Sequence, residues 1–149
     1  MFVIMRKTLL EILALLGITL AAAGVTWKSS GGVTSLKEVC DPAQLEDGYI
    51  CYAEAAQLES VVWVDARTRE LWELNGFPDS ILLTDHPSED WPSLLEEGFG
   101  ALSMAEAVVV YCSTEGCGSS EPVAQKIQEL GLLGEEQIFV LQGGWKSLP

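Results

Sequence analysis

The residue with the clearest capacity for covalent chemistry is Cys112. It follows Ala107–Tyr111, an apolar, β-branched run that predicts a buried strand, and it precedes a loop rich in glycine and serine. A helix is predicted from about Ser120, because apolar residues repeat at helical spacing from Val123 to Leu130. Unpaired N–H groups of such a loop and of the first helical turn converge on one point. They would favour the thiolate of Cys112 and hold an oxyanion or a persulfide over it.

Three further cysteines bear on this interpretation. Cys117 follows Cys112 by five positions, and it is either a resolving thiol that closes a disulfide with oxidised Cys112 or a small loop residue. Cys40 and Cys51 can form a structural disulfide in an oxidising compartment. A structural zinc site usually has two pairs of closely spaced ligands, and the four cysteines of this chain do not form such pairs. No metal site is therefore predicted.

Composition narrows the class of protein. The chain has 149 residues, of which 48% are hydrophobic, and its 8 basic and 22 acidic residues give a net charge of -14. This is a globular chain of one domain rather than a disordered one. Nucleic acid is excluded as a partner, because its binding needs clustered lysine and arginine. The single histidine, His86, lies in a polar loop and is predicted to be a surface residue.

Strands and helices alternate along the part of the chain that must position Cys112. This alternation predicts an α/β fold, with a central parallel sheet and helices on both faces. Thr68 is expected to cap the second helix. The predicted strands are 61–64, 81–83, 107–111 and 138–141, and the predicted helices lie within 52–59, 68–73, 91–97 and 120–130.

The N-terminal residues have the features of a targeting segment. Arg6 and Lys7 precede an almost wholly apolar run over residues 8–23, which ends in three alanines. Residues 1–23 are therefore a cleaved signal peptide or a membrane anchor, residues 24–48 a linker and lead-in segment, and residues 49–149 the domain. The domain is expected to be exported, and to be periplasmic or tethered to the outer face of the inner membrane.

Three segments resemble the rhodanese-like domain, in the order that the family has them. They are VVWVDARTRELWELNGFPDSILL, VVVYCSTEGCGSSEPVAQKIQELG and IFVLQGGW, and the resemblance extends over about residues 50–146. Within them, Asp65-Ala66-Arg67, the strand that ends on Cys112, and the closing Gly-Gly-Trp are jointly specific. The longer loop with a second cysteine resembles a branch of exported single-domain rhodaneses.

The resemblance implies sulfur transfer without a cofactor. Cys112 would attack a sulfane-sulfur donor, become a persulfide, and pass the sulfur to a thiol or to cyanide. Asp65 and Arg67 would form an ion pair or hydrogen bonds that support the active-site face. The cradle around the sulfur would consist of Ser113, Thr114, Glu115, Gly116, Cys117, Gly118 and Ser119.

Three departures from the family pattern bear on the substrate. Where the family usually has Gly-His-Ile-Pro-Gly-Ala, residues 75–80 read Asn-Gly-Phe-Pro-Asp-Ser, which keeps the proline and loses the histidine. Glu115 stands where active sulfurtransferases often have a basic or neutral residue, so the thiosulfate dianion would be disfavoured. Glycine at position 118 excludes the Cys-x5-Arg phosphatase chemistry related to this scaffold.

Two other functions remain open at the level of the sequence. One is a thiol–disulfide redox protein that uses Cys112 and Cys117 with a membrane or redox protein as partner. The other is a catalytically idle rhodanese fold that serves as a binding or scaffold module. For the sulfurtransferase itself, the expected partner is a small sulfur-containing donor or a protein thiol.

Overall fold

The computed structural model describes residues 40–113 and 118–149. The predicted signal or anchor segment, most of the linker, and positions 114–117 lie outside these residues. In the described part of the chain, no helix is both long and apolar enough to cross a membrane. The strands are β1 Tyr49–Ile50, β2 Val61–Asp65, β3 Ile81–Leu82, β4 Ala107–Tyr111 and β5 Ile138–Leu141. The α-helices are α1 Tyr52–Ala55, α2 Arg69–Asn75, α3 Trp91–Leu102 and α4 Ser120–Glu129, and 3-10 turns occupy Pro42–Gln44, Glu135–Gln137 and Gly144–Ser147.

The five strands form one parallel sheet in the order β1-β5-β4-β2-β3. This confirms the predicted α/β class with a central parallel sheet. β4 lies in the middle, and all five of its residues are buried. Its last residue, Tyr111, is in register with Asp65 at the end of β2. Chain segments that follow β2 and β4 therefore leave the sheet side by side at its carboxyl edge.

Each face of the sheet has its own apolar core. Val108 and Val110 point to the face that α3 and α4 cover, whereas Val109 and Tyr111 point to the face covered by α1 and the Gly144–Ser147 turn. This division follows from the two-residue period of a strand. It explains why the sequence of β4 is continuously apolar rather than alternating.

Helix α3 is five residues longer than predicted. Its N-cap residue is Asp90, whose carboxylate accepts a hydrogen bond from the Ser93 N–H (3.2 Å). Leu94, Gly98 and Leu102 are its buried residues, four positions apart, so the buried face continues past two glycines. Tertiary packing thus offsets the low helix propensity of glycine in this helix.

The other element boundaries differ from the predictions by smaller amounts. Helix α1 ends at Ala55 rather than near residue 59, and Ser60 then adopts a left-handed conformation (φ 47°) before β2. Thr68 occupies the N-cap position of α2, but its side chain makes no capping hydrogen bond, which corrects the expected role. Cys40 and Cys51 form a disulfide, which ties the described N-terminal residues to the start of α1.

Candidate functional site

Cys112 lies directly after the central strand, at the carboxyl edge of the sheet. Its side chain is 3% exposed and belongs to the core on the α3 and α4 face. Its carbonyl oxygen accepts a hydrogen bond from the Trp145 N–H (2.6 Å). The hydroxyl of Ser120, the first residue of α4, donates to the Cys112 Sγ at 3.7 Å. The first contact therefore fixes the backbone of Cys112, and the second places its sulfur beside the start of α4.

The loop after Cys112 is described only at its two ends. Ser113 and Gly118 are exposed, and Ser119 is half-buried. The predicted cradle residues Thr114, Glu115, Gly116 and Cys117 lie outside the described residues. The ends show that the chain leaves the buried strand at position 113 and returns to a buried position at Ser120.

Cys112 is in an oxidised state. It is disulfide-bonded, and Cys40 and Cys51 are bonded to each other. The sulfur partner of Cys112 is therefore not among the described residues. A disulfide sulfur is not a nucleophile, so chemistry at Cys112 requires prior reduction.

A buried ion pair supports the segment next to Cys112. The Arg67 guanidinium donates from Nε to Asp65 Oδ1 (2.9 Å) and from Nη2 to Asp65 Oδ2 (2.7 Å), a bidentate arrangement. Asp65 is fully buried and Arg67 is 6% exposed. Burial alone would lower the pKa of Arg67, but its hydrogen bond and attraction to Asp65 raise it overall. The arginine is therefore a permanently charged structural group.

Arg67 also connects β2 to the residues around the Gly-Gly-Trp turn. Its Nη1 donates to Asn75 Oδ1 (3.0 Å), and its guanidinium lies 5.5 Å from the ring centroid of Tyr111 and 5.4 Å from that of Trp145. The Trp145 indole N–H donates to the Asn75 carbonyl (3.0 Å). One cation thus lies against two aromatic rings, and one of these belongs to the residue that contacts the Cys112 backbone.

Tyr111 ties the segment that departs from the family pattern to this ion pair. Its hydroxyl donates to Asp65 Oδ2 (2.8 Å) and accepts from the Phe77 N–H (2.9 Å), with Ser80 Oγ at 3.2 Å. Burial is the main cause that raises the pKa of Tyr111 to about 12. The residues that replace the family's histidine-containing segment are therefore held by hydrogen bonds to a neutral tyrosine.

Trp145 also lines a cleft close to this network. The cleft has a volume of about 220 Å³. Its lining is mainly apolar and includes one cation, that of Lys146. The lining residues are Asn75, Gly76, Phe77, Pro78, Trp145, Lys146, Leu148 and Pro149.

Two further features that the sequence raises are His86 and potential metal ligands. His86 lies in an exposed loop, and its Nδ1 lies 2.8 Å from Ser88 Oγ. Residues 40–113 and 118–149 contain no group of three or more potential ligands that could hold a metal ion.

Sequence reasoning did not identify the roles of Ser120, Asn75, Trp145 and Tyr111 at this site. Ser120 is the predicted start of the helix, and in the sequence Trp145 stands out only as the last residue of the closing Gly-Gly-Trp. The position of Ser120 at the helix start is the one sequence signal that could have found it. The roles of the other three depend on contacts between segments distant in the chain.

Comparison with known proteins relates this arrangement to one family. The family model of the rhodanese-like domain matches residues 51–148. Among solved structures, the chain is similar to the N-terminal domain of a Clostridium difficile 630 protein named for ATP/GTP binding. The identity is 17%, the TM-score is 0.50, and the match covers 66% of this chain and 94% of that one. It is also similar to the BH2092 protein from Bacillus halodurans, at 18% identity and a TM-score of 0.49, over 65% of this chain and 68% of that one. At 17% identity, the likeness to the Clostridium difficile domain concerns the fold alone. The comparison with curated proteins gives no match.

Proposed function

Since the chain belongs to the rhodanese-like domain family, we propose that it is a sulfurtransferase that carries sulfane sulfur as a persulfide on Cys112. Family membership by itself indicates a sulfurtransferase-type or related function. The observation that carries the finer proposal is the place of Cys112, directly after the central strand and in contact with the first residue of α4. Open α/β sheets bind their ligands at this carboxyl edge.

The proposed reaction has two displacements at sulfur and no net redox change. The Cys112 thiolate attacks the sulfane sulfur of a donor, a new S–S bond forms, and the donor's own bond to that sulfur breaks, so that the remainder leaves with the electron pair. An acceptor thiolate or cyanide then attacks the outer sulfur. The Cys112 Sγ leaves as a thiolate, and the acceptor becomes a persulfide or thiocyanate.

The acidity of the chain bears on which donor is used. Glu115 lies in the loop that follows Cys112, and the chain as a whole carries a charge of -14. A dianion such as thiosulfate meets unfavourable charge in such a loop. We therefore propose a neutral or singly charged donor, such as the persulfide of a small thiol, with a thiol-type acceptor.

The test is a mass measurement on the full chain. Dithiothreitol first reduces the protein, the reductant is removed, and thiosulfate or a small-molecule persulfide is added. We expect a shift of about 32 Da, one sulfur atom, on the peptide that contains Cys112. Cleavage after Glu115 separates Cys112 from Cys117 and so locates the sulfur.

The variant C112S is the control for this experiment. It should lose the adduct, because a serine hydroxyl does not take up sulfane sulfur. The proposal is wrong if no donor produces an adduct on reduced Cys112, or if the adduct persists unchanged in C112S.

A second candidate function, thiol–disulfide exchange, is favoured by the oxidised state of Cys112. Since Cys112 is oxidised and Cys40 is bonded to Cys51, we propose that Cys117 acts as the resolving thiol, which forms a reversible disulfide with Cys112. Reduction of this bond would take two electrons and two protons from the dithiol of a redox protein, which would itself be oxidised to a disulfide.

Acid-trapped thiol mapping distinguishes this candidate. In redox buffers of graded potential, Cys112 and Cys117 should gain and lose alkylation together, and C117S should leave Cys112 reduced throughout. Absence of the bond in every buffer would rule out the exchange function and leave the sulfurtransferase proposal standing.

We also propose that the domain is exported, and that it is periplasmic or tethered to the outer face of the inner membrane. The proposal rests on the residue pattern of positions 1–23. The Cys40–Cys51 disulfide supports it, since such bonds persist in oxidising compartments. Cell fractionation with N-terminal sequencing tests the location and the cleavage, and recovery of the full chain in the cytosolic fraction alone would contradict it.

A further inference from the structure

We infer that Ser120 is a catalytic residue, whose hydroxyl donates a hydrogen bond to the Cys112 sulfur whenever that sulfur carries negative charge. The inference rests on the proposed role of Cys112 as nucleophile and adds a second side chain to that site. Ser120 lies outside the cradle, residues 113–119, that the sequence predicts. The observation behind it is the 3.7 Å contact from Ser120 Oγ to Cys112 Sγ.

Burial makes this contact chemically important. Ser120 is 7% exposed and Cys112 is 3% exposed, so both groups lie largely out of water. A charge that forms on a buried sulfur loses solvation by water and depends on protein donors instead. The Ser120 hydroxyl points at the sulfur in the oxidised chain, so a donor is already beside Cys112 when the disulfide is reduced.

The position of Ser120 in the helix adds to the effect. It is the first residue of α4, a helix of 10 residues, so the positive end of the helix dipole lies beside the same sulfur. Glu121, the next residue, is the acidic group in this first turn. Its carboxylate accepts a hydrogen bond from the Tyr49 hydroxyl on β1, so its charge is directed to the edge strand.

Two steps of the proposed reaction place charge on Sγ. In the first, the Cys112 thiolate attacks the donor. In the last, Sγ leaves as a thiolate when the acceptor removes the outer sulfur. The Ser120 hydroxyl stabilises Sγ at the beginning of one step and at the end of the other, and it neither gives up its proton nor forms a covalent bond.

The test compares S120A with S120T in the reduced full chain. Alanine removes the donor and is well tolerated in helices, whereas threonine keeps a hydroxyl. The first readout is the rate of Cys112 alkylation by iodoacetamide, measured at a pH where this rate still rises with pH. The second is the rate at which a preloaded persulfide transfers its sulfur to cyanide.

We expect S120A to slow alkylation about three- to fivefold, since a tenfold smaller thiolate fraction is partly offset by a more nucleophilic thiolate. Sulfur transfer to cyanide should slow by several-fold as well. S120T should stay close to the parent chain in both. S103A is the matched control, because the Ser103 hydroxyl is exposed and bonds the Gly100 carbonyl at the end of α3.

The inference is overturned if S120A reacts at the parent rate in both measurements, or if S120T is as slow as S120A. Alkylation requires no sulfur donor, so it reports on Ser120 even if Cys112 takes up no sulfur. Failure of the sulfurtransferase proposal would appear as an absent persulfide, and failure of this inference as an unchanged rate.

Discussion

Among the described residues, Arg67 connects several side chains at the carboxyl edge of the sheet. It neutralises the fully buried Asp65, and its guanidinium contacts Asn75 and the rings of Tyr111 and Trp145. A buried pair of this kind contributes little over an apolar pair of similar shape. The loss of one partner is strongly destabilising, because it leaves an uncompensated charge in the core.

Arg67→Met should lower the free energy of unfolding by about 3–5 kcal/mol, because it leaves the Asp65 carboxylate buried without its cation. Arg67→Lys should recover only part of this loss, since an ammonium group cannot form the bidentate pair. Urea denaturation of the full chain measures both changes. Arg69→Met is the control: the Arg69 side chain is 37% exposed, so water screens its pair with Glu89, and the change should cost less than about 1 kcal/mol. An effect of R67M as small as that of R69M would contradict the argument.

At the scale of elements, the turn after β5 positions Trp145 against Cys112. Gly143 and Gly144 have φ values of 77° and 56°, in the left-handed region that glycine adopts without penalty. This conformation turns the chain so that the Trp145 N–H reaches the Cys112 carbonyl. The closing Gly-Gly-Trp motif therefore has a geometric role at the site.

Gly143→Ala should destabilise the domain by about 1–2 kcal/mol, because an L-residue is strained in the left-handed region. Its added Cβ would also lie 3.3 Å from Ser147 Cβ. Gly100→Ala in α3 is the matched control, since a Cβ there meets nothing within 4 Å. In a helix interior that change should stabilise by about 0.5–1 kcal/mol. Thermal unfolding reports both, and equal shifts in melting temperature would contradict the turn argument.

Most of the fold could be predicted from the sequence, because the apolar runs of β2, β4 and β5 are unambiguous. The two-residue strand β1 was missed, since Tyr49 and Ile50 gain their register only by pairing with β5. Helix α3 was predicted too short for a similar reason, as Gly98 packs against Ile81 of β3. Local pattern identifies elements, whereas their ends depend on tertiary contacts.

The sequence likewise predicts some residues of the candidate site but not the tertiary contacts between them. Cys112, Asp65 and Arg67 could be selected from the sequence because each lies at a strand end within a recognisable motif. The contact of Ser120 with the sulfur and that of Trp145 with the Cys112 backbone could not, because they depend on how α4 and the Gly-Gly-Trp turn return to the sheet edge. The signal segment and the role of Cys117 stay predictions.

For the molecule as a whole, two tyrosines connect distant parts of the sheet. Tyr49 joins β1 to α4 through its hydrogen bond to Glu121, and this bond is the main cause that raises the pKa of Tyr49 to about 12. Tyr111 joins the central strand to the 77–80 segment, and its pKa is likewise raised to about 12, mainly by burial. Both links operate while the phenols are protonated.

The folded chain should therefore lose stability at alkaline pH in a defined window. An unfolded tyrosine ionises near pH 10, whereas these two ionise near 12 in the folded state, so the folded chain holds their protons more tightly. Their contribution is complete below about pH 10 and is lost as the pH rises through about 12. The melting temperature should fall across this range, and Y111F and Y49F should each show a shallower fall than the parent chain. Y111F should also start lower at neutral pH by about 1–3 kcal/mol in unfolding free energy, because Asp65 and the Phe77 N–H each lose a buried partner. Since lysine ionisation is common to all three proteins, parallel curves would show that the tyrosines do not cause the alkaline loss.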